Sequence, residues 1–213
     1  MGGSSSPSAF DGELLALPVG MTLKAADLYL AHRFSGKARI TRGDEPAYTA
    51  SVSIEPEADH WRTTIETLYS STFRQGGGGA IETLRDEDVA DSVAVDYEPP
   101  LVALPPRMIV GRPFEGSCRV RVTDLRSGAD RDGGTCTYRI ELLGWRRGTP
   151  SGRFDAYLVR TTRHLKLRWA EARVTTDAVY LPGRGMIRES MHQVTRVLGL
   201  LDMEKRHDVR LID

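Results

Sequence analysis

The sequence has no excess charge of either sign, no long apolar run and only two cysteines. Lysine and arginine together number 29, and so do aspartate and glutamate, giving a formal net charge of zero. A nucleic-acid-binding domain usually carries a basic surplus. Its absence weighs against that class while leaving a local basic face open. No apolar stretch approaches the roughly 20 residues that a membrane-crossing helix needs. The five histidines are His32, His60, His164, His192 and His207. None stands in a His-x-x-x-His or Cys/His zinc spacing. No Gly-x-Ser-x-Gly nucleophile turn occurs, and the carboxylates are too dispersed to nominate an acid/base pair. The expectation is a protein that is not an enzyme, with no catalytic residue, no metal and no cofactor.

Two richer stretches also fail the motif they suggest. Gly76 to Gly79 is a run of glycines, but a phosphate-cradling loop needs Gly-x-x-x-x-Gly-Lys-Ser/Thr or Gly-x-Gly-x-x-Gly. No lysine follows, so a hairpin tip is expected. Asp86, Glu87 and Asp88, with Asp91 nearby, lack the alternating ligands and glycine of a calcium loop. They read as a solvated loop.

What the chain does have is alternation. Cys136, Tyr138, Ile140 and Leu142 alternate with polar residues, which marks a half-buried strand. Gly148 to Gly152 reads as a turn, and Phe154 to Arg163 restarts an extended segment. Leu165, Leu167 and Trp169 alternate with His164, Lys166 and Arg168. Val174 to Leu181 is another β-branched and aromatic run, and Pro182-Gly183-Arg184-Gly185 ends it. Cys118 shares parity with Val120 and Val122. A hairpin tip centred near Ser127 sets Cys118 opposite Cys136, Gly116 beside Tyr138 and Phe114 beside Ile140, all sensible cross-strand pairs. In an oxidising compartment the two cysteines are expected to form a disulfide; two buried free thiols are the alternative.

Elsewhere, Leu28 to Phe34 and Ala38 to Ile40 read as strands or one broken strand. Tyr48 to Ile54 is a strand stopped by Pro56. Trp61, Ile65, Leu68, Tyr69 and Phe73 fit a helix face, but the many threonines and serines in His60 to Gln75 favour strand. Tyr97 to Pro106 holds four prolines and reads as a crossing between two halves of a sheet. Met191 to Leu201 is open between a short helix and a last pair of strands, and Val209 to Ile212 reads as a terminal strand. Arg160, Arg163, Lys166 and Arg168 form a basic stripe, read as a solvated sheet face in preference to a contact with anionic lipid headgroups or an acidic polymer. The opening MGGSSSPS reads as a tag remnant or the flexible start of a mature chain. Residues 1–12 are expected to be disordered, and residues 13–213 to form a single β-rich domain. The fold class is mainly β: an antiparallel curved sheet, half-barrel or open β-barrel, with at most one or two short helices.

Two segments carry a resemblance. "YRIELLGWRRGTPSGRFDAYLVRTT" and "DAVYLPGRGMIRES" match at Gly152, Phe154 and Ala156, then at Tyr180, Pro182, Gly183, Gly185, Met186 and Glu189. In these and in Glu98 to Gly116 the C-terminal half resembles uncharacterised bacterial envelope proteins of the DUF3108 type. It is more loosely similar to the lipoprotein-carrier half-barrels of the LolA and LppX kind. The resemblance implies a periplasmic or extracellular protein, possible anchoring as a lipoprotein included. It also implies a lipid or other hydrophobic ligand held in a curved sheet, as those carriers hold acyl chains. The alternative is a structural or protein-interaction module of the envelope with no small ligand. A binder would border its cavity with Trp61, Tyr69, Phe114, Tyr138 and Trp169, whereas a scaffold would pack them against one another.

Overall fold

Strands with one apolar face must bury that face, and a sheet closed on itself does so without leaving an unpaired edge. A computed structural model, which describes residues 15–29, 32–146 and 156–212, shows that solution. The barrel strands are β2 (Phe34–Arg42), β3 (Tyr48–Glu57), β4 (His60–Ile65), β5 (Tyr69–Gln75), β6 (Ile81–Asp88), β7 (Val93–Leu104), β9 (Phe114–Asp124), β10 (Asp130–Arg146), β11 (Ala156–Leu167), β12 (Ala170–Leu181), β13 (Gly185–Val197) and β14 (Leu201–Ile212). These twelve strands follow one another around a closed antiparallel barrel in chain order. Pairing of β14 with β2 completes the circle. The expected curved antiparallel sheet is present, and it closes fully.

The short strands β1 (Thr22–Lys24) and β8 (Arg107–Ile109) pair outside the barrel. With the single helical turn α1 (Ala25–Leu28) they cap one end. The Ala25 amide donates to the Pro106 carbonyl at 3.3 Å, and the Gly183 amide to that of Asp27 at 3.4 Å. Ala25 and Leu28 are fully buried in the largest apolar cluster, beside Trp61, Ile81, Leu104 and Met108. Leu28 is therefore helical, not part of a strand. Its burial under the barrel end gives the turn a tertiary reason to form that local propensity does not supply.

The register around the cysteines is the expected one: Cys136 lies opposite Cys118, Tyr138 opposite Gly116 and Ile140 opposite Phe114. Gly116 is required there, since a Cβ would fall 2.4 Å from the Tyr138 ring. His60 to Gln75 is strand, but it forms a hairpin, turned at Thr67 with φ 65°. Met191 to Val197 is strand within β13. The glycine run makes a tight turn, Gly77–Gly79, between β5 and β6.

Two expectations are corrected. Tyr97 to Leu104 is not a crossing, because it is part of the continuous strand β7. Pairing of β7 with β9 stops at Glu98, and the β6 register jumps between Asp96 and Leu101. Pro99 and Pro100 thus sit where no ladder donor is needed. Asp86 to Asp88 is not a loop either. It ends β6, so alternate carboxylates point to opposite sides of the wall.

The outward positions are charged. Lys37, Arg39, Arg119, Arg121, Arg139 and Lys166 are all exposed. A membrane-spanning barrel has the reverse polarity, with an apolar outer band, so this wall meets water. Among the described residues no helix is long and apolar enough to cross a membrane.

Candidate ligand cavity

The inward parity of the strands encloses a lumen of about 390 Å³, within the usual range for small-molecule cavities. Most of its wall is apolar, with Val95, Leu101, Val159, Leu165, Val174 and Met191 contributing. Polar side chains interrupt it in knots that tie facing walls together.

The first knot centres on Asp86. Its carboxylate accepts hydrogen bonds from Ser71 Oγ at 2.6 Å, Tyr97 OH at 2.8 Å and Arg163 Nη1 at 3.0 Å. The same Nη1 donates to the Tyr97 oxygen at 3.2 Å. β11 and β6 are not neighbours in the sheet, so Arg163 reaches across the lumen. Burial acts against its charge, but Tyr97 and Asp86 outweigh burial and raise the guanidinium pKa further. Burial, then Asp86, pushes the Tyr97 hydroxyl well above its ordinary range, so it stays protonated and donates.

The second knot joins β5 to β13 and β14. His207 Nε2 lies 2.9 Å from Glu189 Oε1, and the Tyr69 ring stacks on His207 with centroids 5.9 Å apart. Burial, then Glu189, raises the Tyr69 pKa well above normal. In the third knot Lys205 Nζ bridges to Asp88 at 2.9 Å and also contacts Asp91. It lies beside a surface recess of about 510 Å³ at the end of the barrel away from the cap, lined by Arg42, Asp44, Glu45, Tyr69 and His207 among others. At the capped end Trp61 Nε1 donates to Tyr29 OH at 2.9 Å, and Tyr29 OH lies 3.2 Å from Thr63 Oγ1.

Of the five residues expected to border a cavity, Tyr69 lines the lumen. Trp61, in β4, is buried beneath the cap, its ring 5.4 Å from that of Tyr29. Phe114 and Tyr138 stack on each other at 6.4 Å in the barrel wall, and Tyr138 OH accepts the Val102 amide at 3.3 Å. Trp169 lies outside, 55% exposed. β11 ends at Leu167, and Asp132 takes the amides of Arg168 and Trp169 at 3.0 and 3.1 Å, which turns Trp169 out of the apolar parity. The basic stripe divides too. Arg160 pairs outside with Asp177 at 2.7 Å, His164 pairs with Glu171, Lys166 faces solvent, and Arg163 points in. The signal for Arg163 was present, since it shares odd parity with Leu165 and Leu167.

Cys118 and Cys136 are buried free thiols in this structure. The neighbouring Cys136 thiol, together with burial, pushes the Cys118 pKa up, whereas Cys118 lowers that of Cys136. Arg163 favours the Cys136 thiolate further. Among the described residues no group of His, Cys, Asp and Glu is arranged to hold a metal ion. No protein-family model, curated protein or solved structure matches this chain.

Proposed function

We propose that this barrel is a non-enzymatic, exported protein of the bacterial envelope that binds a lipid or other hydrophobic ligand in its lumen. One observation carries the reading. Strands that satisfy one another's backbone groups, and polar side chains that bond mainly among themselves, leave about 390 Å³ of largely apolar space inside a folded wall. Space of that kind is normally filled by side chains when a barrel has only a structural role. The test is native mass spectrometry of protein purified from an exporting host, followed by solvent extraction. A stoichiometric adduct of low polarity is expected. A clean unliganded mass that does not shift on adding a lipid extract would count against the proposal.

Export brings a second expectation. Directly opposite residues on antiparallel strands have Cα atoms about 4.5 or 5.5 Å apart, within reach of a disulfide. Cys118 and Cys136 are therefore expected to be bonded in protein recovered from an oxidising compartment. Unfolding in an alkylating reagent without reductant should then add no label, and prior reduction should add two. Two labels without reduction would refute the bond.

A separate observation favours the protein-interaction alternative. Trp169, Leu198, Leu200, Leu201 and Met203 are exposed on two adjacent hairpin tips joined by the Leu198 amide donating to the Trp169 carbonyl at 2.8 Å. An apolar patch of this kind commonly marks a contact surface.

A further inference from the structure

Arg163 is the unusual group in the lumen. Both of its hydrogen bonds leave from Nη1. Its Nε is shielded from solvent and has no partner, the one buried side-chain nitrogen or oxygen so placed among the described residues. A guanidinium offers five N–H donors and no acceptor, and a buried donor left unmet is costly. Nη2 has no hydrogen-bond partner either and, unlike Nε, is not closed off from the lumen, so its two N–H groups are the donors that a ligand acceptor can reach.

Charge decides which acceptor. Asp86 already sits 3.0 Å from Arg163. Glu189 faces His207, and Lys205 is shared between two carboxylates, Asp88 and Asp91. A ligand carboxylate at Arg163 would place a second anion on a cation that is already neutralised, in a space of low dielectric. An uncharged oxygen meets the donors without that penalty. The apolar part of the wall, with Val95, Leu101, Val159, Leu165 and Val174, complements a hydrocarbon body.

We infer that the lumen selects an uncharged, largely apolar molecule bearing a hydrogen-bond acceptor, such as a ketone, ester or amide oxygen, seated against Arg163. This rests on the reading of the lumen as a ligand cavity. A ligand carboxylate, as on a fatty acid, is disfavoured.

The test uses probes that share one skeleton: naphthalene, acetonaphthone and naphthoate, titrated into the full chain at neutral pH and followed by calorimetry. The ketone is expected to bind about tenfold or more tighter than both the hydrocarbon and the carboxylate, as for a hydrogen bond to a charged donor. In Arg163→Met the preference of ketone over hydrocarbon should vanish. Because that variant leaves Asp86 without its counterion, the double variant Asp86→Asn/Arg163→Met removes both charges and provides the same readout in a neutral lumen. Tightest binding of naphthoate, or a ketone preference that survives in the double variant, would overturn the inference. Failure of all three probes to bind the unaltered chain would remove the cavity reading itself, and the inference with it.

Discussion

Replacing Arg163 by methionine is expected to destabilise the barrel by about 3 kcal/mol, the lower end of the range for breaking a buried ion pair. The lower end applies because Asp86 keeps two donors, the hydroxyls of Ser71 and Tyr97. Its carboxylate would nonetheless lose its counterion inside the lumen, where the two side chains are only 22% and 27% exposed. Arg163 also ties β11 to β6 and β7 across the interior, so its removal frees facing walls that no backbone ladder joins. Asp86→Asn in the same chain should recover most of the loss, since a neutral amide needs no counterion. Urea unfolding of the two single variants and the double variant measures the coupling. A loss below about 1 kcal/mol for Arg163→Met would show that the pair contributes no more than a surface ion pair.

The second large effect is steric. A Cβ on Gly134 would lie 1.9 Å from the Lys166 carbonyl oxygen and 2.9 Å from the Leu167 Cα. Both contacts are backbone, so no side-chain rotation relieves them. Gly134→Ala is expected to cost about 3 kcal/mol, the upper end for an overpacked site. A glycine-to-alanine change at a permissive position gains about 0.4–1 kcal/mol instead, so even the sign is diagnostic. The damage should be local. Gly134 pairs with Leu167 at the last step of the β10–β11 ladder, and the nearby turn hangs on Asp132 and on the Arg168 amide donating to the Gly133 carbonyl at 3.2 Å. Hydrogen exchange should therefore rise first at residues 165–169. Gly77→Ala, which meets nothing within 4 Å, is the control and should be near neutral. Equal stability of the two variants would mean that the close approach of β10 and β11 is not as described.

Local pattern revealed the parts of this fold that local chemistry determines. The turn near Ser127 and the parity of Cys118, Val120 and Val122 were enough to pair Cys118 with Cys136 and Gly116 with Tyr138. Closure was not legible, because the contact that makes it joins the first barrel strand to the last, Ile40 to Val209. No neighbouring residue encodes such a pairing. The four prolines between Pro99 and Pro106 suggested a break, yet a bulge lets the first two sit in a strand without losing a ladder bond. Arg163 was masked by its neighbours. Among Arg160, Lys166 and Arg168 it reads as surface charge, although its parity belongs to the interior. Trp169 shows the converse case, since it continues the apolar parity of Leu165 and Leu167 one step beyond the end of the strand. The candidate site was accordingly legible as a class of place, the inside of a curved sheet, and only Tyr69 of the five residues named for it lines the lumen.

The most direct measurement fills the lumen from within. Thr176 faces inward beside Thr161 and Met191, so Thr176→Trp would occupy the space with an indole while leaving the wall and the exposed hairpin tips unchanged. Titration with an uncharged, environment-sensitive fluorophore then separates the lumen from the outer surface. The unaltered chain is predicted to bind one fluorophore per barrel with a blue-shifted emission, and a folded Thr176→Trp protein to lose binding by at least about tenfold. Equal binding by both proteins would contradict a ligand in the lumen. It would place the apolar contact at Trp169, Leu198 and Leu200 instead.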